Sequence, residues 1–239
     1  MELIPAIDIL DGQVVRLHQG RYDEVTTYGD DPAKVASELE AAGARRLHVV
    51  DLDGARDGRP GNVAAIEAIL RQTRLSVQVG GGVRDRAAAL RWLDAGAARV
   101  VMGTAAIKAP DMTRALAAER PGAVVVAVDA RDGAVAVEGW LEDTCRAAVD
   151  VAKRAASWGV AALLYTNIAR DGTRAGPDVE GTASLQAEVD VPVIASGGVG
   201  SLDHLRALDA AGIRAAVCGR ALYSGAFTLA EAFEAAGAP

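Results

Sequence analysis

Two aspartates stand in the same slot of a repeated phrase. AIDILDGQVV at 6–15 and AVDARDGAVA at 127–136 match at an offset of 121, and each apolar run ends at Asp8 or Asp129. Two carboxylates facing one cavity suit general acid–base work, one ionised to take a proton and one protonated to give it. Asp11 and Asp132 each precede a glycine, which suits them to shaping turns. A second echo has an offset of 116. Gly80-Gly81-Gly82 leads on to Gly103-Thr104, and Ser196-Gly197-Gly198 leads on to Gly219-Arg220. Bare backbone N–H groups where a strand turns into a helix bind phosphate, and glycine permits close approach. Two such sites across one mouth imply a substrate with a phosphate at each end. His48 and Asp51 near one strand end, and Thr166 at another, are either site residues or strand structure. Trp140 reads as a core plug or as a lid stacked on a flat heterocycle. Asp171, in ARDGTRAGPD, either bonds a ligand or shapes its own turn.

These residues need elements that aim them at one place. Short apolar runs alternate with longer stretches of helical period. Strands are expected at Leu3–Ile7, Arg46–Val50, Ser76–Val79, Arg99–Met102, Val124–Val128, Ala162–Tyr165, Val191–Ala195 and Ala215–Cys218. A helix is expected after each, including Pro32–Ala42 with Asp31 as N-cap, and Thr144–Trp158. Gly43, Gly96 and Gly212 sit where helices end. Eight such units predict a single α/β domain over 1–239, a (β/α)8 TIM barrel. The echoes divide it into two homologous half-barrels of about 1–120 and 121–239. In such a barrel chemistry sits at the C-terminal ends of the strands, where Asp8 and Asp129 face each other across the ring.

Composition removes several classes. The net charge of −7 gives no general attraction to nucleic acid or anionic lipid. No apolar run approaches the ~20 residues that span a bilayer, and no signal peptide is read at MELIPAID, so a cytoplasmic protein is expected. Only Lys34, Lys108 and Lys153 accompany 22 arginines. None lies in an apolar strand, which argues against imine chemistry on a lysine. The histidines and acids lack metal-ligand spacing, so neither metal nor cofactor is expected. With no long exposed apolar element, the chain reads as a monomer.

IPAIDILDGQVVRLHQGRYD, LHVVDLDGA, VQVGGGVR, VMGTAA, VDARDGAVAVEGW, YTNIARDGT, VIASGGV and GRALYSGAFTLAEA resemble, in order and over essentially the whole chain, the ProFAR isomerase family of histidine biosynthesis. The resemblance implies a cofactor-free barrel that isomerises a bisphosphorylated aminoaldose to an aminoketose. It places the base on Asp8, the acid on Asp129, and supporting roles on Thr166 and His48. Substrate contacts fall to Arg16, Trp140 and Asp171, and phosphate contacts to Gly81, Gly82, Gly103, Thr104, Gly197, Gly198, Gly219 and Arg220. One position departs: Asn167 stands where the family commonly has an acid. Arg16 in VVRL argues against the sister cyclase, which usually carries a lysine soon after its first aspartate. Leu141-Glu142-Asp143 after Gly-Trp argues against a second activity on phosphoribosyl anthranilate. Two matched aspartates argue against a barrel that only binds phosphosugars.

Overall fold

Strand β1 (Glu2–Leu10) is buried on both faces, as expected of a strand with helices outside and side chains of its own barrel inside. The computed structural model describes residues 1–237; positions 238 and 239 of the expected domain lie outside it. After β1 come a hairpin of β2 (Gln13–His18) and β3 (Arg21–Gly29), then α1 (Pro32–Ala41), β4 (Arg46–Asp51), α2 (Leu52–Asp57) and α3 (Val63–Gln72). Next follow β5 (Ser76–Gly80), α4 (Arg86–Asp94), β6 (Arg99–Met102), α5 (Thr104–Lys108) and α6 (Pro110–Glu119). Strand β7 (Val124–Arg131) brings its own hairpin of β8 (Ala134–Val137) and β9 (Glu142–Ala147), and α7 (Ala148–Ala156). The chain ends with β10 (Ala162–Asn167), α8 (Val179–Ala187), β11 (Val193–Ser196), α9 (Leu202–Ala210), β12 (Ala215–Cys218), α10 (Arg220–Tyr223) and α11 (Leu229–Ala235).

The eight strands β1, β4, β5, β6, β7, β10, β11 and β12 pair in parallel, and the β10–β7 pairing closes the ring. Alternation along each strand sorts the side chains. Ile4, Ala6, Val101, Val125, Ala127, Ala162, Leu164, Ile194, Ala215 and Val217 fill the barrel interior. The intervening residues, such as Ile7, Ile9, Val126 and Val128, join a larger cluster under the helices. Trp92 on α4 is fully buried there; a large apolar side chain so placed contributes ~1.5–3 kcal/mol or more. Asp8, Asp129 and Thr166 continue the inward rows of Ala6, Ala127 and Leu164, one step above the apolar filling.

Each hairpin is entered through an Asp-Gly turn, one joining β1 to β2 and the other joining β7 to β8 in antiparallel pairs. Asp11 and Gly12 have φ of 50° and 76°, Asp132 and Gly133 φ of 50° and 80°. Two consecutive positive φ values make the tight turn that matches strand twist, and Asp-Gly tolerates them. The second hairpin corrects the expected helix Thr144–Trp158: its first residues instead form β9, antiparallel to β8 with Val137 opposite Glu142. Thr144 Oγ1 donates to Val135 O at 2.6 Å and holds that pairing. The expected strand Val191–Ala195 begins at Val193, because Pro192 has no N–H for the ladder. Asp31 caps α1 as expected, accepting from Ala33 N and Lys34 N. Among the described residues no helix is long and apolar enough to cross a membrane.

Candidate active site

The inward rows end in a cavity at the C-terminal mouth of the barrel. Asp8, His48, Asp129 and Thr166 line it from the strands, and Arg16, Trp140 and Asp171 from the loops and hairpins. Asp8 and Asp129 stand on opposite sides of the ring and have different partners. Arg16 Nη1 donates to Asp8 Oδ2 at 2.6 Å, while its Nη2 donates to the carbonyl of Ala6. Asp129 takes hydrogen bonds from the neutral side chains of Trp140 and Thr166. Thr166 lies beside Asp129 in the β10–β7 register. Burial raises both aspartates above the ordinary carboxylate range; Arg16 opposes this at Asp8, and the two neutral donors oppose it at Asp129.

Asp171 is a third carboxyl in the same space. Burial first, then Asp8, pushes it up to about 6, with Asp129 adding to the rise and Arg16 opposing it. Three crowded carboxyls resist ionising together. His48 is pulled down to about 4, by burial first and Arg16 second, and stays neutral near pH 7. Its Nδ1 lies 3.0 Å from Nε2 of Gln78, a buried neighbour on β5 that sequence reasoning passes over. A polar residue amid the apolar strand SVQVG is its one visible signal.

The glycine segments come to the mouth as expected: Gly81, Gly82, Gly103 and Thr104 on one side, Gly197, Gly198, Gly219 and Arg220 on the other. Gly103 and Gly219 precede the short helices α5 and α10, and among the described residues neither helix start carries a side-chain cap. Their leading N–H groups therefore lack the usual side-chain acceptor. Packing also demands glycine in these segments. A Cβ at Gly81 would collide with Asp51 O, and one at Gly198 with Gly176 O, and both glycines have positive φ, +88° and +83°. Arg220 donates to the carbonyl of Gly172, and Thr104 Oγ1 accepts from Glu138 N at 2.9 Å.

Trp140 is no core plug. It lies over Gly20, between β2 and β3, so that the two hairpins meet across the mouth. Glu138, Gly139 and Trp140 all have positive φ (56°, 64° and 71°). Such a run costs energy and persists only when its surroundings hold it. Here Glu138 pairs with Arg84 at 2.5 Å and Lys108 at 2.8 Å. Asp51 is structural: its carboxylate caps Gly54 N at 2.9 Å and takes Gly61 N at 2.7 Å and Asn62 Nδ2 at 2.7 Å. Asn62 Oδ1 accepts in turn from Gly12 N at 2.8 Å. It thereby ties the loop before α3 to the β1–β2 turn, a link with no local sequence signal.

The side chain of Asn167 points away from the cavity. Its Nδ2 donates to Asp178 Oδ2 at 3.0 Å, as does Tyr165 OH at 2.9 Å. Asp178 also caps α8 through Gly181 N. The loop that carries Asp171 is thus braced where it leaves β10 and where it enters α8.

Comparison with known proteins gives a consistent result. The family described as histidine biosynthesis protein matches residues 2–228. A relative from Sorangium cellulosum (strain So ce56) is 57% identical, with all of both chains covered. One from Ruegeria sp. (strain TM1040) is 51% identical over 97% of this chain and 98% of its own. One from Synechococcus sp. is 50% identical over 99% of this chain and 94% of its own. All three are named as 1-(5-phosphoribosyl)-5-((5-phosphoribosylamino)methylideneamino) imidazole-4-carboxamide isomerase, the second with the suffix 2.

Proposed function

The chain belongs to the histidine biosynthesis protein family, and we propose that it catalyses the isomerisation for which these relatives are named, with Asp129 as acid and Asp8 as base. The substrate carries two phosphoribosyl groups, and the glycine segments on opposite sides of the mouth would hold its two phosphates. Asp129 protonates the ring oxygen of the reacting ribose, which opens to an imine. Asp8 then removes the proton on C2, and the resulting enolamine rearranges to the ketose. Thr166 keeps Asp129 in place, His48 orients the sugar, and Trp140 covers the aminoimidazole and helps exclude water from the imine. Arg16 and Asp171 contact the substrate as well.

The unequal partners of the two aspartates carry this reading. A guanidinium beside Asp8 favours its ionised form, as a base requires. The donors to Asp129 are neutral, so burial works on it without a compensating cation. We read the two similar halves as a duplication that supplied equivalent strand ends, later made unequal by their surroundings. The ligand is a small bisphosphorylated molecule rather than nucleic acid or membrane, no metal or cofactor is needed, and the working unit is a cytoplasmic monomer. Purified protein should convert the bisphosphorylated aminoaldose to its ketose isomer, and should act poorly on phosphoribosyl anthranilate offered in parallel. A folded preparation with no turnover of the first substrate would refute the assignment.

A further inference from the structure

We propose that Gln78 is a positioning residue whose amide fixes His48 as the tautomer that presents Nε2–H to the cavity. Gln78 is fully buried on β5, beside His48 in the β4–β5 register. Its Nε2 lies 3.0 Å from His48 Nδ1. An amide nitrogen donates and does not accept, so Nδ1 is the acceptor and carries no proton. A neutral imidazole holds one proton, which is then on Nε2. His48 is neutral because burial and Arg16 pull it down to about 4.

The carbonyl end of the Gln78 amide is buried as well. Among the described residues its buried Oε1 has no hydrogen-bond partner, a penalty that an apolar side chain in this strand would avoid. What the amide provides in return is the bond to His48. A neutral N–H donor suits this cavity for a chemical reason. It can hold an oxygen of the opened sugar without taking the proton that belongs to Asp8.

The role given to His48 rests on the isomerase reading, whereas its tautomer can be measured without substrate. Full-length protein carrying 15N-histidine is examined by NMR near pH 7, with His18→Gln and His204→Gln assigning the His48 signals by elimination. The expected result is a bare Nδ1 and a protonated Nε2. Gln78→Glu should move the proton to Nδ1 or charge the ring, lowering kcat by up to about tenfold, the upper end of what one net hydrogen bond is worth, with KM little changed. Gln78→Met, of similar length but without the amide, should give mixed tautomers and an intermediate kcat. A proton on Nδ1 in the unaltered protein, or full kcat in folded Gln78→Glu, would overturn the proposal. Absence of activity in the unaltered protein would instead count against the isomerase reading and leave the tautomer result standing.

Discussion

Replacing Asp171 by Asn should stabilise the protein, and by an amount that depends on pH. The side chain is nearly isosteric, and its oxygen still accepts from the backbone of Gly172. The native carboxyl is pushed from its ordinary 3.8 to about 6, chiefly by burial and by Asp8. A carboxyl with a raised folded value binds its proton more tightly in the native state, so stability falls as pH rises from about 4 to above 6. A rise of that size corresponds to about 3 kcal/mol at pH 8 and only about 1 kcal/mol near pH 4.5. For a chain of this size, 1 kcal/mol moves Tm by about 2–4 °C. The variant should therefore melt about 6–12 °C above the native protein at pH 8, and about 2–4 °C above it near pH 4.5. Turnover should fall in the same variant, the usual trade at a site built from destabilising groups. Calorimetry at the two pH values decides it. A variant no more stable at pH 8, or a gain that ignores pH, would refute the reasoning.

Asn167→Asp should lower Tm, because a second carboxylate would face Asp178 where Nδ2 now donates at 3.0 Å. Two charges about 4 Å apart repel by ~4 kcal/mol at an effective dielectric of about 20, which solvent near Asp178 reduces to roughly 1–2 kcal/mol. Combining Asn167→Asp with Asp178→Asn should recover most of that loss in a thermal melt. Gly198→Val should abolish folding, because its side chain would collide with Gly176 O, whereas Gly103→Ala should fold, its methyl 3.6 Å from Ala127 Cβ. Circular dichroism separates the two. Dialysis against a strong chelator should leave turnover intact, and loss restored by a divalent ion would contradict the cofactor-free mechanism.

Much of the barrel is legible in local pattern. Strands Arg99–Met102 and Ala215–Cys218 have the bounds that their apolar runs predict, since short buried strands are limited by what can be buried. The hairpins are less legible. Asp11-Gly12 and Asp132-Gly133 are strong turn signals, yet β9 reads as helix because Glu142–Ala147 lacks strand alternation and owes its form to pairing with β8. In the site, the repeated phrase exposes Asp8 and Asp129 because each closes an equivalent apolar run. Their partners are invisible locally: Arg16 reaches Asp8 through the β1–β2 pairing, and Asp171 meets both aspartates only once the ring closes. Phosphate binding and tight packing ask for the same residue, glycine. The collision of a Cβ at Gly81 with Asp51 O makes packing the stricter demand at that position.

The central claim is that Asp8 and Asp129 are an unequal proton-transfer pair. It is tested most directly by kcat for Asp8→Asn and Asp129→Asn beside the turn variants Asp11→Asn and Asp132→Asn, all matched for folding. Asn can neither take nor give the proton at neutral pH. Each of the first two should lose at least roughly 10²–10⁴-fold in kcat, with substrate affinity changed far less, while the turn variants keep most of their activity. Equal losses in all four would contradict the account.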